Sequence, residues 1–273
     1  MQTQFFERTE GTIAYDDSQG DGELVVMWPG VGALRGEYRY LAPALVEAGY
    51  RVVSADLRGH GESSVGWSEY TIPAVGEDML ALIKHLNAGP AHLVGTSFTP
   101  GSAVWAAAER PEAVRSLILI GAFVRGQPPN LAQNLAQAVL LSGPWKVPAW
   151  GMFYKTLYPT RQPDDFDAYI AQLKSNLREP GRFAALKGLA AAPKTPSEER
   201  LGQVKMPVLV VMGTEDPDWP DPEAEARFIA DALSGELVLV EGAGHYPQTE
   251  MPEQVAPAVL DFLARVVLPD EDL

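Results

Sequence analysis

Residues 91–110, AHLVGTSFTPGSAVWAAAER, join a short apolar run to a helical pattern at Ser97. The first six residues have the length and composition of a buried strand, and residues 100–109 have helical spacing. A sharp turn from a buried strand into a helix lifts a serine hydroxyl clear of the sheet and aims the helix N-terminus at it. Two interpretations stay open from this stretch alone: a nucleophile, or a serine that only caps a helix.

Strand-length apolar runs alternate with helical patterns on both sides of this segment. The runs are rich in Val, Leu and Ile without strict alternation, as in strands buried on both faces. They cover 23–28, 51–56, 91–96, 115–121, 207–213 and 236–241, and residues 4–8 and 12–17 suggest an antiparallel hairpin at one edge. The helical patterns cover about 36–47, 72–87, 100–109, 222–233 and 252–267. An α/β fold follows, with a mostly parallel eight-stranded sheet flanked by helices.

One interval, from about 123 to 201, breaks this alternation. It contains no convincing strand and is rich in Pro, Gln, Ala and aromatic residues, among them Trp145, Trp150, Phe153, Tyr154 and Tyr158. We therefore predict a core formed by residues 1–123 and 201–273, with residues 124–200 inserted as a helical cap.

The cap sequence also indicates where its helices lie. Helical spacing occurs over about 131–139 and 166–177. A final helix is expected to begin at Thr195-Pro196, with Glu198 placed to complete a capping box.

The composition is that of an ordinary soluble globular protein. Of the 273 residues, 46 % are hydrophobic, and the formal net charge of −15 disfavours binding to nucleic acid or to anionic lipid surfaces. The absence of cysteine excludes disulfides, thiol catalysis and cysteine-ligated metal sites. The first residues lack the pattern of a secretory signal, and no apolar run approaches the roughly 18 residues of a membrane span. A cytoplasmic location is the default expectation.

His245 is the best candidate for the base that a serine nucleophile requires. It lies in EGAGHYP, residues 241–247, just beyond the last strand, in a loop of small residues. The other histidines, His60, His85 and His92, are interpreted as structural.

Asp216 is the best candidate for the carboxylate that would orient this base. It follows directly after the apolar run 207–213, and Asp218 and Asp221 remain alternatives. The acidic stretch is otherwise interpreted as a solvated turn before a helix N-terminus. A calcium-binding loop is disfavoured by the prolines at 217, 220 and 222 and by the absence of the loop glycine.

The order Ser97, Asp216, His245 resembles that of the α/β-hydrolase superfamily. The matching strings are VVMWPGVG, DLRGHGESS, HLVGTSF, VLVVMGTEDP and EGAGHYPQTEMPEQV, and the similarity extends over essentially the whole chain. The resemblance implies a Ser-His-Asp triad that cleaves a carboxylic ester or related acyl bond through an acyl-enzyme, with no metal or organic cofactor. It also implies that the backbone N–H groups of Val31 and Phe98 bind the oxyanion.

Two departures from the family pattern affect the oxyanion hole. The family usually has His-Gly where this chain has Pro29-Gly30, and a glycine two residues after the nucleophile where this chain has Thr99, followed by Pro100. Proline is tolerated in the first turn of a helix. We expect the added side chain of Thr99 to alter the shape of the oxyanion hole.

The expected partner is a small ester-like molecule; the sequence does not indicate the oligomeric state. Trp28, Trp150 and Phe153 are the candidate substrate contacts, since such pockets are mainly apolar. For Trp150 and Phe153, simple packing of the cap on the core is the alternative.

Three other functions stay open. The same triad could support perhydrolysis, acyl transfer, or cleavage of C–C bonds or cyanohydrins, and the fold could serve a non-catalytic small-molecule binder. The segment GVGALRG, residues 30–36, followed by Asp56, resembles a dinucleotide-binding turn. That interpretation is weak because Arg35 stands where the fingerprint needs a small residue.

Overall fold

A computed structural model describes residues 3–126 and 141–266, and its centre is an eight-stranded sheet. The strands are β1 (Thr3–Arg8), β2 (Gly11–Asp17), β3 (Leu24–Trp28), β4 (Arg51–Ala55), β5 (Ala91–Thr96), β6 (Val114–Ile120), β7 (Val208–Gly213) and β8 (Glu236–Val240). Their spatial order is β1-β2-β4-β3-β5-β6-β7-β8. The pairs β1–β2 and β2–β4 are antiparallel and the others are parallel. The predicted sheet and its edge hairpin are confirmed.

Helices cover the sheet and fill the interval between β6 and β7. In the described ranges they are α1 (Leu41–Glu47), α2 (Ile72–Leu86), α3 (Thr99–Glu109), α4 (Lys146–Thr156), α5 (Phe166–Arg178), α6 (Arg182–Ala190), α7 (Thr195–Glu198), α8 (Pro222–Leu233), α9 (Pro247–Glu250) and α10 (Pro252–Arg265). None of the helices in that part of the chain is long and apolar enough to cross a membrane.

The two faces of the sheet carry separate apolar clusters because side chains alternate along a strand. In β3, Val26 and Trp28 pack with residues of α2, α3 and α8, whereas Val25 and Met27 pack with residues of α1 and α10. Every residue of β3, β5 and β7 is buried, which explains why the sequence showed continuous apolar runs there. The loops at the carboxyl ends of β3, β5, β7 and β8 carry the candidate catalytic and oxyanion-binding residues.

The single helix predicted over residues 36–47 is wrong. A 3₁₀ turn covers Arg35–Tyr38, and α1 begins only at Leu41. The reason is that Glu37 and Tyr38 are both buried, and the Tyr38 hydroxyl donates a hydrogen bond to the carbonyl oxygen of Trp28 at 2.6 Å. Tertiary contacts therefore override the local helical pattern.

The helices α4 to α7 lie in the described part of the interval between β6 and β7. Much of this segment belongs to a third apolar cluster, which includes Tyr154, Phe166, Ile170, Leu173, Leu186 and Tyr246. The helix α5 matches the predicted one over 166–177, and the aromatic-rich stretch before it forms α4, which the sequence did not predict. The helix predicted over 131–139 lies outside the described residues.

The capping box predicted for the last of these helices is wrong. The helix α7 begins at Thr195 as expected, but Lys194 occupies the N-cap position and makes no side-chain capping hydrogen bond. The Glu198 carboxylate accepts a hydrogen bond from the N–H of Gly126 at 3.2 Å instead. This contact joins α7 to the chain that leaves β6.

Candidate active site

Ser97 lies in a tight turn between β5 and α3. Its φ is +65°, in the left-handed region that residues other than glycine rarely adopt. Two backbone hydrogen bonds of 2.9 Å hold the turn: the Ser97 N–H donates to the carbonyl of Ile120, and the Phe123 N–H donates to the carbonyl of Ser97. Ser97 is partly exposed, whereas the residues on both sides of it are buried. The turn therefore leaves its hydroxyl accessible at the carboxyl edge of the sheet.

The Thr99 hydroxyl fastens this turn to the neighbouring strand. It accepts a hydrogen bond from the N–H of Thr96 at 2.8 Å and lies 2.8 Å from the carbonyl oxygen of Trp28 at the end of β3. The opposing residue is Gly95, where a Cβ would come within 3.0 Å of the Thr99 hydroxyl oxygen. The departure from the family pattern at Thr99 is thus accommodated by a hydroxyl that links two strand ends.

His245, on the loop after β8, is anchored by Asp216, on the loop after β7. The distance from His245 Nδ1 to Asp216 Oδ2 is 2.8 Å, and both side chains are buried. Asp218 Oδ2 lies 3.6 Å from the same nitrogen, too far for a good hydrogen bond. Asp221 caps α8 by accepting from the N–H of Ala224 at 2.9 Å. Of the three acids that the sequence left open, Asp216 is the one that holds the imidazole.

The environment of His245 prepares it for proton transfer. Burial opposes the charged imidazolium, but the negative charges of Asp216 and Asp218 outweigh it and raise the pKa of His245 to about 9. The opposite ring nitrogen, Nε2, is buried and has no hydrogen-bond partner among the described residues. An imidazole fixed at one nitrogen and unpaired at the other is arranged to exchange a proton with a group beside Nε2.

Phe123 and Gly30 bring Ser97 and His245 into the same small region. The Phe123 N–H binds the Ser97 carbonyl, and the Phe123 ring centroid lies 5.8 Å from that of the His245 imidazole. A Cβ on Gly30 would lie 3.0 Å from the Cβ of Ser97 and 3.1 Å from the hydroxyl oxygen of Tyr246. The turn after β3 therefore passes directly beside Ser97, and a side chain at position 30 would crowd Ser97 and Tyr246.

The backbone N–H groups of the turn after β3 are largely occupied by side chains. The Gly30 N–H donates to Glu37 Oε2 at 3.1 Å, and the Gly32 N–H donates to His60 Nε2 at 3.0 Å. The next three N–H groups donate in order to the Gly30 carbonyl, the Tyr169 hydroxyl and the Asp56 carboxylate; these donors are Ala33, Leu34 and Arg35. The conformation of the turn is thereby fixed from several directions.

The N–H groups of Val31 and Phe98 differ from those neighbours. Within residues 3–126 and 141–266, neither finds a hydrogen-bond acceptor. Phe98 follows Ser97 directly, and Val31 follows Gly30, which contacts Ser97. Unpaired backbone N–H groups beside a partly exposed serine are the arrangement that stabilises a developing oxyanion.

A buried carboxyl group lies next to this turn. Glu37 is fully buried, and its Oε1 accepts from the Gln248 side-chain amide at 2.8 Å while its Oε2 binds the Gly30 N–H. Burial raises the pKa of Glu37 to about 7, although the hydrogen bond from Gly30 opposes the shift. Sequence reasoning missed Glu37 and Gln248, since an isolated acid and an isolated amide give no local sign of burial.

Replacing Glu37 by Gln is expected to change how stability depends on pH. Between about pH 4.5 and 7 the folded protein retains the Glu37 proton, which the unfolded chain has released. The free energy of unfolding of the wild type, measured relative to that of the variant, therefore falls as pH rises through this window. Above the window, the difference between the two proteins no longer changes with pH. Urea unfolding of both proteins at pH 5, 6, 7 and 8 measures the difference.

The Glu37→Gln variant should fold, because the Gln248 amide can rotate to place its oxygen towards the new NH₂ group. The Gln248 oxygen has no partner among the described residues, so the rotation gives up only the long 3.3 Å hydrogen bond from the Gln248 amide to the Thr96 hydroxyl. Parallel pH profiles for the two proteins would contradict the assignment of this titration to Glu37.

The three predicted substrate contacts lie at different depths. Trp28 is completely buried at the end of β3. Trp150 packs against Gly32, where φ is +75° and a Cβ would lie 2.5 Å from the indole ring. The Phe153 ring lies 5.3 Å from the Trp150 ring and is partly exposed. Trp150 and Phe153 thus lie beside the turn that carries Val31.

The remaining histidines and Asp56 have structural partners. Burial lowers the pKa of His60 to about 4, so that it is a neutral acceptor for the Gly32 N–H. His92 bonds to Ser116 and Glu23, and the exposed His85 lies against the ring of Phe6, so the described contacts of both side chains are with the sheet and its edge. The Asp56 carboxylate is held by Arg35, which leaves the dinucleotide interpretation without its free acid.

One group in the described part of the chain could also hold a metal ion. Single ligand atoms of Asp216, Asp218 and His245 all lie within 4.8 Å of one another. A proton on His245 Nδ1 satisfies the hydrogen bond to Asp216 without an ion, so the geometry does not require a metal.

Comparisons with known proteins agree with this fold. A family model described as the alpha/beta hydrolase fold matches residues 23–252. A Mycobacterium tuberculosis protein, provisionally named a non-heme bromoperoxidase, is 33 % identical over 93 % of this chain and 98 % of its own length. A 2-hydroxy-6-oxononadienedioate/2-hydroxy-6-oxononatrienedioate hydrolase of Klebsiella pneumoniae is 30 % identical over 90 % of this chain and 89 % of its own. The structure of a thermophilic esterase from Thermogutta terrifontis superposes with a TM-score of 0.77 and 27 % identity, covering 97 % of this chain and 99 % of that one.

Proposed function

Since this chain belongs to the α/β-hydrolase family, we propose that it is a serine hydrolase that cleaves carboxylic esters or related acyl bonds. The observation that carries the proposal is the buried His245 imidazole, held at Nδ1 by Asp216 and unpaired at Nε2. It lies in the same region as Ser97, whose backbone is held in a conformation suited to an exposed nucleophile. A hydrolase and an esterase among the similar proteins support the same reaction class.

In the proposed first step, the Ser97 hydroxyl oxygen forms a bond to the ester carbonyl carbon and its proton passes to His245 Nε2. The carbonyl oxygen becomes an oxyanion, which accepts hydrogen bonds from the N–H groups of Val31 and Phe98. The carbon–oxygen bond to the alcohol then breaks, and the leaving oxygen takes the proton from Nε2. Asp216 fixes the imidazole tautomer and stabilises the imidazolium.

In the second step, a water molecule attacks the acyl-enzyme carbonyl and gives its proton to His245. Collapse of this intermediate releases the carboxylic acid and returns the proton to Ser97. Trp150 and Phe153 are proposed to contact the substrate from the cap side, since they lie beside the turn that carries Val31. Trp28 is completely buried at the end of β3, and we propose that it packs beneath the floor of the site.

A second candidate reaction is perhydrolysis, in which hydrogen peroxide replaces water in the second step and a peracid leaves. The observation that favours it is the 33 % identity to the protein provisionally named a non-heme bromoperoxidase. Peracid formation from acetate and hydrogen peroxide, compared with ester hydrolysis at the same enzyme concentration, separates the two reactions.

A fluorophosphonate tests the proposed nucleophile directly. Attack of the Ser97 oxygen on phosphorus would release fluoride, and the intact mass would rise by one phosphonyl group. Fragmentation of the tryptic peptide 85–115 is expected to place the group on Ser97. The same peptide contains the fully buried Ser102, which serves as an internal control. Absence of label from folded protein, or label at another residue, would overturn the assignment.

A further inference from the structure

A lysine side chain lies beside the residue that follows the proposed nucleophile. Lys194, between α6 and α7, places its Nζ 4.6 Å from the centroid of the Phe98 ring. The Ser197 hydroxyl, one turn later, lies 2.7 Å from the carbonyl oxygen of Val124. This contact holds the segment against the chain that leaves β6. The Lys194 ammonium group therefore lies where the cap segment meets the core, against the ring of the residue that follows Ser97.

This ammonium group has unused hydrogen-bonding capacity. It carries three donors, and within the described ranges it makes one hydrogen bond, to the carbonyl of Ala192 at 2.9 Å. No carboxylate oxygen of residues 3–126 or 141–266 lies within 4.0 Å of it. The acid closest along the chain, Glu198, binds the N–H of Gly126 instead.

Lys194 combines partial burial with the absence of an acid partner. Other lysines that make no ion pair within the described residues, such as Lys84, Lys187 and Lys205, are exposed to solvent. Burial lowers the pKa of Lys194 to about 8, with no carboxylate to oppose the shift. The group is therefore still mostly protonated at pH 7, and a partly buried cation without a counter-charge favours an anionic ligand.

We propose that Lys194 binds a carboxylate on the acyl part of the substrate, so that monoesters of dicarboxylic acids are preferred. This inference rests on the proposed function of Ser97. The leaving alcohol must face His245 Nε2 to receive its proton, and the neighbours of that imidazole are Phe123 and Tyr246. Lys194 packs instead on Phe98, whose N–H is assigned to the oxyanion of the acyl group.

The test compares matched anionic and neutral esters. The anionic substrates are the mono-p-nitrophenyl esters of glutarate and adipate, and the neutral ones are the p-nitrophenyl esters of the corresponding monoamides, glutaramate and adipamate. The measured quantity is the ratio of kcat/KM for the anionic ester to kcat/KM for its neutral partner. This ratio cancels any general effect of a variant on folding or on the proposed catalytic groups.

Three variants complete the design. Lys194→Met removes the charge at similar length and is expected to lower the ratio about 10- to 100-fold for at least one of the two acids, whereas Lys194→Arg should retain most of it. Lys187→Met is the matched control, because Lys187 is exposed on the same segment and its loss changes the net charge equally. Its ratio should stay within twofold of the wild type. If Lys194→Met did not fold, Lys194→Gln would carry the same comparison.

Binding without turnover separates this inference from the proposed function. Monomethyl adipate and monomethyl glutarate are titrated calorimetrically into Ser97→Ala protein, with and without Lys194→Met. One outcome is that binding depends on Lys194 but the wild-type protein hydrolyses none of the esters. This result would uphold the anion site and overturn the hydrolase assignment. Hydrolysis of both ester types with a ratio unchanged by Lys194→Met would overturn the anion site and leave the hydrolase assignment standing.

Discussion

Replacing Ser97 by Ala is expected to lower kcat for p-nitrophenyl esters by about 10⁴- to 10⁶-fold. Alanine has no oxygen to attack the carbonyl, so only binding and the two oxyanion N–H groups would contribute to any residual rate. The variant should fold normally because the partly exposed Ser97 hydroxyl makes no hydrogen bond within the described residues. The free energy of unfolding should change by less than about 1 kcal/mol. Steady-state kinetics and urea unfolding check the two statements separately.

Ser102→Ala is the matched control for this variant. Ser102 lies on the same helix, α3, and its hydroxyl is buried without a partner in the described chain. Removing that hydroxyl should leave ester turnover within a few-fold of the wild type. A Ser97→Ala protein with nearly wild-type turnover would remove Ser97 from the mechanism.

Asp216→Asn is expected to lower kcat/KM by about 10³- to 10⁴-fold. The asparagine amide keeps the shape of the carboxylate but does not fix the imidazole in the tautomer that leaves Nε2 free as a base. Loss of the negative charge also removes a cause of the raised pKa of His245, which is about 9. Since the neutral imidazole is the active base, the rise of kcat/KM with pH should move to lower pH in the variant.

Asp218→Asn provides the matched control for Asp216→Asn. Its carboxylate lies 3.6 Å from the same His245 nitrogen, against 2.8 Å for Asp216. It contributes to the electrostatic shift without holding the ring, so its replacement should cost less than about tenfold in kcat/KM. Equal losses in the two variants would show that the acids share the role assigned here to Asp216.

Much of the sheet could be predicted from sequence because its strands are short, buried on both faces and separated by helical patterns. Every residue of β5 and β7 is buried, so their sequences lack the exposed polar side that is typical of a surface helix. The prediction failed at residues 36–47, where Glu37 and Tyr38 turn inwards to bind Gln248 and Thr96, which are distant in the chain. It also failed at Glu198, whose partner is Gly126 and not its own helix end. Long-range contacts of this kind leave no local periodicity.

The candidate catalytic residues could be selected from sequence because each directly follows a recognisable strand. Ser97, Asp216 and His245 lie on the loops after β5, β7 and β8, and parallel strands bring those loops to one edge. The groups that support them could not be selected. Glu37 and Gln248 are 211 positions apart in the chain, and only the folded structure places their side chains within 2.8 Å.

The contacts that hold the turn after β3 limit which segments of related proteins could be exchanged into this protein. Among the contacts described above, two come from the segment between β6 and β7: the Tyr169 hydroxyl that binds the Leu34 N–H, and the Trp150 ring that packs on Gly32. The others come from the sheet domain itself. A segment of a relative grafted between β6 and β7 would therefore need an equivalent hydroxyl and an equivalent flat ring, in addition to the contacts that this segment makes elsewhere, such as the Leu157 carbonyl that accepts from the His245 N–H. Chimeras that keep these two side chains should retain the conformation of the turn beside Ser97 while the rest of the exchanged segment differs.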